Sequence, residues 1–311
     1  MGTSSRFAAV WRRSFVILLA AALFNSLQLY AFEVPASKPK SKPADSWSVH
    51  GQPVRLVNGS PVVFEVTPPE RLKSLSGKWI EHELFFSADS RGKIWYGIAG
   101  ASLETRPGGY SLELKGVTTS GKELSFQKRF TVGRGKYHSI AASVPKQYTE
   151  PNPEQLHKID QDKALKERAL ARVTPEREWE GSFHAPVKAQ ISDVFGTART
   201  FNGKVQSVHQ GLDFAVPDGT PVDALNSGTV LLAQPLFFEG NCVVLNHGQG
   251  LLTLYMHLSK IEVKEGENVA GGQKIGLSGG TGRATGPHLH VAVRWQGVYL
   301  NPATLLSLQL P

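Results

Sequence analysis

Cysteine is nearly absent. The 311-residue chain has one, Cys242, which excludes an intrachain disulfide and any thiolate metal cluster. Lying in the apolar run Cys242-Val243-Val244-Leu245, that thiol reads as a small buried hydrophobe. No run of Lys and Arg is interleaved with aromatics and no nucleic-acid module is recognisable, so nucleic acid is not an expected partner. No internal repeat occurs, and no long helical period follows Trp179. Nor is there an apolar stretch of comfortable membrane-spanning length: the longest, Phe15 to Phe24, is too short. What is present is an ordinary globular composition, 41% apolar, in a chain long enough for two cores. The balance is basic, 34 Lys and Arg against 26 Asp and Glu, a net +8. A surface of that sign attracts polyanions.

Residues 1–31 read as a signal peptide. Arg6, Arg12 and Arg13 precede the apolar stretch, and Leu29-Tyr30-Ala31 offers a cleavage site. Arg12-Arg13-Ser14-Phe15 hints at a twin-arginine signal, although its surroundings fit poorly. No Cys follows the apolar stretch, which excludes a lipid anchor; membrane association is expected only if the segment stays uncleaved. Export to the periplasm or cell envelope is the expectation, and an acidic envelope polymer then becomes the natural polyanion. Residues 32–45, rich in Pro, Lys and Ser, read as a flexible spacer.

Residues 46–145 carry short period-two runs, such as Tyr110-Ser111-Leu112-Glu113-Leu114, with Thr119-Ser120-Gly121-Lys122 as a turn before Leu124-Ser125-Phe126. About seven such strands in a hundred residues predict an immunoglobulin-like β-sandwich. Residues 146–179 form a helical linker: Leu156, Ile159, Leu165, Ala169, Leu170 and Val173 recur at helical spacing from Pro153 to Val173, and Thr174-Pro175 ends the run. Residues 180–306 read as all-β, with pieces such as Gly228-Thr229-Val230-Leu231-Leu232 and Leu252-Thr253-Leu254-Tyr255-Met256. The overall fold class is mostly β.

Chemistry concentrates in this last part. In His288-Leu289-His290, followed by Val291-Ala292-Val293, alternate side chains of a strand share a face, so two imidazoles project together and Leu289 turns inward. His209 and Asp213, four apart in His209-Gln210-Gly211-Leu212-Asp213, are expected to share a face on extended backbone. His257 lies between the pairs, in Tyr255-Met256-His257-Leu258-Ser259. Either pair alone carries little weight, since such pairs are often structural. Imidazole and carboxylate together suit zinc, and a catalytic zinc uses three protein ligands and one open position. Five groups leave two imidazoles over for proton transfer near neutral pH. The glycine-rich Ser278 to Pro287 lacks the Gly-Lys-Ser/Thr ending of a phosphate loop and no helix follows, so it is expected to shape a cleft rim. His247, in Asn246-His247-Gly248, reads as structural; His157 and His184 have no partners in sequence, and His50, His82 and His138 are scattered.

At these residues the chain resembles the lysostaphin- and LytM-like zinc endopeptidases, whose hallmarks are His-x-x-x-Asp and His-x-His. The resemblance covers about residues 180 to 305. It includes Ile191-Ser192-Asp193-Val194-Phe195-Gly196, Asp218-Gly219-Thr220-Pro221-Val222 and Thr285-Gly286-Pro287-His288-Leu289-His290. The resemblance implies a two-layer antiparallel β domain with its site in a groove on one sheet. It further implies His209, Asp213 and His290 as ligands of one zinc per chain, His257 and His288 as catalytic residues, and the cross-link peptides of peptidoglycan as substrate. The bond cut and the identity of the general base are left open. A non-catalytic wall-binding or amidase-activating module is the rival reading, and the retained set of all five groups argues against it. Val263 to Val269 with Gly272 to Gly276 also resembles the hairpins of biotinyl and lipoyl carriers, but no modifiable Lys sits at a hairpin tip. The sandwich holds no evident reactive group, so it is expected to dock on an acidic wall polymer or an envelope protein rather than lean over the cleft.

Overall fold

A computed structural model describes residues 46–142, 146–201 and 205–311; the expected signal peptide 1–31 and spacer 32–45 lie outside them. The fold is mostly β, with several sheets and one long helix between an N-terminal β region and the C-terminal part. Among the described residues no helix is long and apolar enough to cross a membrane.

The N-terminal region has two sheets. Strands Gly108–Thr118 and Glu123–Gly133 form a long hairpin closed by Thr118 N to Lys122 O, at the turn the sequence marks. In Leu72–Trp79, beside that hairpin, Leu72, Leu75 and Trp79 are buried while Lys73, Ser76 and Lys78 face water. That alternation is what seats the strand on a one-sided core. The second sheet runs Ser48–Gln52, Pro61–Thr67, Trp95–Gly100, Ser87–Ala88. Its central strand turns Phe64 onto Trp79 and Phe130 of the first sheet, at ring separations of 5.1 and 5.0 Å.

Helix α1, Pro153–Leu170, starts where local chemistry dictates. Asn152 and Gln155 form a reciprocal capping box and Pro153 takes the first turn, where its missing N–H costs nothing. It ends three residues short of the Val173 predicted from spacing, with Arg294 Nη1 donating to the terminal carbonyl of Leu170 at 2.9 Å. Polar anchors fix it more than its apolar stripe, for Leu156 stays exposed. Asp162 Oδ2 accepts from Phe237 N at 2.7 Å, and Lys166 pairs with Glu239.

Beyond α1, the main sheet is antiparallel in the order Gln190–Asp193, Leu212–Ala215, Leu289–Trp295, Leu251–Leu258, Gly240–Asn246, Gly228–Leu236, Asn268–Val269, with Val298–Leu300 also on Leu289–Trp295. A three-stranded sheet of Pro221–Asp223, Lys274–Leu277 and Lys260–Ile261 shares its core through Val222 and Ile275. One feature departs from the all-β expectation. Helix α2, Pro302–Ser307, is capped by the Asn301 side chain on Ala303 N.

The two halves are joined closely. Strand Ser139–Ala142, from the N-terminal side of α1, pairs in parallel with Ala198–Phe201, which pairs with Val205–Val208. Leu300 packs on Gly100, His82 lies 5.0 Å from the Trp295 ring, and Asn301 N donates to Gly59 O. The amide of Gln249 bonds to backbone groups of Trp95–Gly100. A single buried apolar cluster runs from Val49 to Leu308 through both halves.

Candidate metal centre

Three neighbouring strands of the main sheet assemble the site. Asp213 on Leu212–Ala215 lies opposite His290 on Leu289–Trp295, and His290 lies opposite Met256 on Leu251–Leu258. Leu289 is fully buried in the core while His288 and His290 both line the cleft. His209 arrives differently from the expected shared face. It sits in the turn between Val205–Val208 and Leu212–Ala215, fixed by His209 N to Thr197 O and Gly196 N to His209 O. Gly211 follows because a Cβ there would collide with the His290 ring and with Val291 O.

His209, Asp213 and His290 form the one group of potential metal ligands found among the described residues. His209 Nε2 lies 3.1 Å from Asp213 Oδ1 and 3.1 Å from His290 Nδ1, and Oδ1 to His290 Nδ1 is 2.7 Å. A tetrahedral zinc with bonds of about 2.0–2.2 Å needs its ligand atoms roughly 3.3–3.5 Å apart, so the two 3.1 Å pairs would open by about 0.2–0.4 Å and the Asp213 to His290 pair by about 0.6–0.8 Å, all less than about 1 Å. The protonation pattern fits a cation as well. Nδ1 of His209 donates to Val194 O at 2.8 Å. In the neutral ring Nε2 therefore turns a lone pair toward a carboxylate oxygen, a contact favourable only with a proton or a metal between them. Burial opposes ionisation of Asp213, but the two imidazoles of His209 and His290 against it outweigh that and hold the carboxyl far below its usual range. Burial in turn lowers His290, partly offset by Asp213.

His257 and His288 stand beside this group, their rings 4.8 Å apart. Each gives Nδ1–H to a carbonyl, Thr281 O and Gly286 O respectively, both at 2.8 Å. Carbonyls only accept, so in the neutral rings both Nε2 atoms keep their lone pairs. Burial lowers the His257 pKa to about 3, helped by the nearby His290 and His288. His257 also has φ +62°, in the left-handed region that non-glycine residues avoid. It lies at a β-bulge, where the register with Gly240–Asn246 slips between Asn241 and Val243. That extra residue lets Met256 and His257 both face the cleft instead of opposite sides.

The cleft, about 750 Å³, is also lined by Ile140 from the strand before α1, Lys166 from α1, and Arg199. None of these was legible as a site residue. Asp193 has no role assignable from sequence, yet it accepts from Arg199 Nε at 2.8 Å, and Arg199 Nη2 reaches Asp213 Oδ2 at 2.6 Å. Burial raises the Asp193 pKa, but hydrogen bonds from Arg199 and Thr197 prevail and lower it. His247 is structural, as the sequence suggests: it bonds Ser227 O and Thr253 Oγ1 away from the cleft. His50, His138, His157 and His184 are exposed.

Residues 207–302 match the model of Peptidase family M23. Over 194 residues, 62% of this chain, the sequence is 35% identical to peptidoglycan DD-endopeptidase ShyA of Vibrio cholerae, covering 39% of that protein. It is 45% identical over 119 residues to DD-carboxypeptidase/endopeptidase Mpg of Neisseria meningitidis, covering 38% of this chain and 27% of Mpg. The alignments thus span less than two-fifths of either relative. A crystal structure from Pseudomonas aeruginosa, described as a peptidase M23, superposes with a TM-score of 0.61 at 30% identity. It covers 81% of this chain and 95% of that one, and so reaches well beyond residues 207–302.

Proposed function

This chain belongs to peptidase family M23, and on that footing we propose that it is a zinc-dependent endopeptidase hydrolysing amide bonds in the cross-link peptides of peptidoglycan. The observation that carries the reading is the intact His209, Asp213, His290 group facing the His257 and His288 pair in one cleft. His209 Nε2, Asp213 Oδ1 and His290 Nδ1 would hold one zinc per chain. When bound there, zinc supplies Lewis acidity to the scissile carbonyl and to the attacking water. The remaining chemistry is the protein's own. With their Nδ1–H groups tied to Thr281 O and Gly286 O, His257 and His288 keep Nε2 aimed for proton transfer. One takes the proton from water at Nε2 and delivers it to the leaving amine; the other, when it carries a proton on Nε2, donates to the carbonyl oxygen and steadies the negative charge growing there.

We read residues 46–145 as an immunoglobulin-like sandwich, 146–179 as a helical linker and 180–306 as the peptidase domain. The two N-terminal sheets with their shared aromatic core and helix α1 support this division. Action in the periplasm or cell envelope, with an acidic wall polymer or envelope protein as partner of the N-terminal half, is supported by the substrate named in ShyA and by the basic charge. The test is metal analysis of the purified protein with digestion of purified wall, read by mass spectrometry. About one zinc per chain and newly freed peptide ends are expected, both lost in His209→Ala, Asp213→Ala and His290→Ala. A zinc-loaded protein that leaves wall peptides uncut would refute the enzyme reading in favour of a binding or activating module.

A further inference from the structure

Asp213 has two carboxylate oxygens, and each has a different task. Oδ1 faces the two imidazoles, while Oδ2 accepts from Arg199 Nη2 at 2.6 Å. Arg199 is itself held on two sides. Its Nε donates to Asp193 Oδ2 at 2.8 Å and its Nη2 reaches the same oxygen. Asp193 Oδ1 is engaged in turn by Val194 N and Thr197 Oγ1, both at 2.8 Å. The same short turn supplies Val194 O to His209 Nδ1, so it grips both His209 and Asp213 from behind. The Arg199 to Asp213 pair is largely withdrawn from water, at side-chain exposures of 19% and 8%. Strand Ala198–Phe201, which carries Arg199, is set in register by Ile140 on one side and Ser207 on the other. Arg199, Asp193 and Ile140 all lie outside the residues that match the family model.

We propose that Arg199 is the positioning residue of the metal centre: by occupying Oδ2 it presents Oδ1 of Asp213, and only Oδ1, to the zinc. The inference rests on the zinc reading above. Two effects compete. A guanidinium beside the site repels a dication and so weakens its binding. Fixing the carboxylate strengthens it, and loss of such outer partners typically costs about 10–100-fold in metal affinity. A planar fork bridging two carboxylates is a geometric device that a lysine ammonium, a point charge, does not reproduce. Positioning therefore outweighs repulsion, and the Arg side chain matters for shape as well as charge.

Zinc affinity of the full chain, measured by competition with a chromophoric chelator, tests this without reference to turnover. Arg199→Ala should bind zinc about 10–100-fold more weakly than the parent. Arg199→Lys, which keeps the charge and loses the fork, should fall between them, and thermal melting of the metal-free proteins should show both folded. In an Asp213→Asn background, Arg199→Ala should weaken zinc binding much less than it does alone. A parent that fails to bind zinc refutes the zinc reading itself. A parent that binds zinc while Arg199→Lys and any folded Arg199→Ala bind it equally or more tightly overturns the positioning role alone. Should Arg199→Ala not fold, Arg199→Lys decides.

Discussion

Replacing Gln249 with Ala removes a side chain that joins the two halves of the protein. Gln249 is 0% exposed. Its Oε1 accepts from Ile98 N at 3.3 Å, and its Nε2 donates to Tyr96 O at 3.1 Å and Ser87 Oγ at 3.3 Å. The amide thus completes the backbone pairing of a sheet it does not belong to; the main-chain carbonyl of Gln249, which Ala retains, accepts from Trp295 Nε1 at 3.1 Å. Ala strands one backbone N–H and one C=O, each costing about 1–3 kcal/mol when buried without a partner. The Ser87 hydroxyl turns elsewhere at little cost, and water entering the vacated space would offset part of the loss. The net expectation is destabilisation by roughly 2–4 kcal/mol. Urea unfolding followed by tryptophan fluorescence and by far-ultraviolet circular dichroism measures it. Both probes should report one transition with a lowered midpoint and an unchanged slope. A Gln249→Ala protein within about 0.5 kcal/mol of the parent would refute the reasoning. So would two separate parental transitions, neither of them moved by the substitution.

On the proposed division of roles, in which His257 and His288 move protons and bind no metal, His257→Ala and His288→Ala should keep zinc and lose about 10²–10⁴-fold in turnover; loss of zinc from either, by metal analysis, would reverse that division. His247 has its pKa lowered by burial to about 4 from 6.5. The unfolded chain therefore takes up this proton first as pH falls. Its contribution is fully present above about pH 6.5 and is lost toward pH 4, by roughly 3 kcal/mol in all. Unfolding free energies of metal-free parent and His247→Gln between pH 7 and 4.5 check this, and parallel pH profiles would contradict it. Cys242 is fully buried with its pKa raised by burial, so a thiol reagent should label it only after denaturant is added; rapid labelling of the native protein would place it elsewhere.

What could be read in the chain was what depends on near neighbours. The period-two pattern at His288-Leu289-His290, the turn at Thr119 to Lys122 and the helix start at Pro153 are all set within a few residues. Helix α2 was equally local, since Asn301-Pro302 is a cap followed by a first-turn proline, but six residues are too few to show a period. The remaining features are long-range. Arg199 meets Asp213 only because a turn folds back across the sheet, and Ile140 meets the cleft only through a parallel pairing spanning α1. His257 was identifiable as a candidate, yet the bulge that aims it depends on a register slip against another strand. Contacts between the halves, such as His82 with Trp295, were not legible either, because nothing in either segment marks its partner.

The backbone of His257 carries a consequence for how this lineage can change. At φ +62° an imidazole-bearing residue occupies a conformation that glycine adopts freely and other residues adopt at a cost of about 1–3 kcal/mol. The fold would be more comfortable with glycine there than with the histidine the proposed mechanism requires. On that mechanism, selection for turnover works against selection for stability at this one position. Relax the demand for turnover, and drift at this position runs downhill toward a protein that keeps the cleft, the His209, Asp213, His290 group and the fold while losing the imidazole.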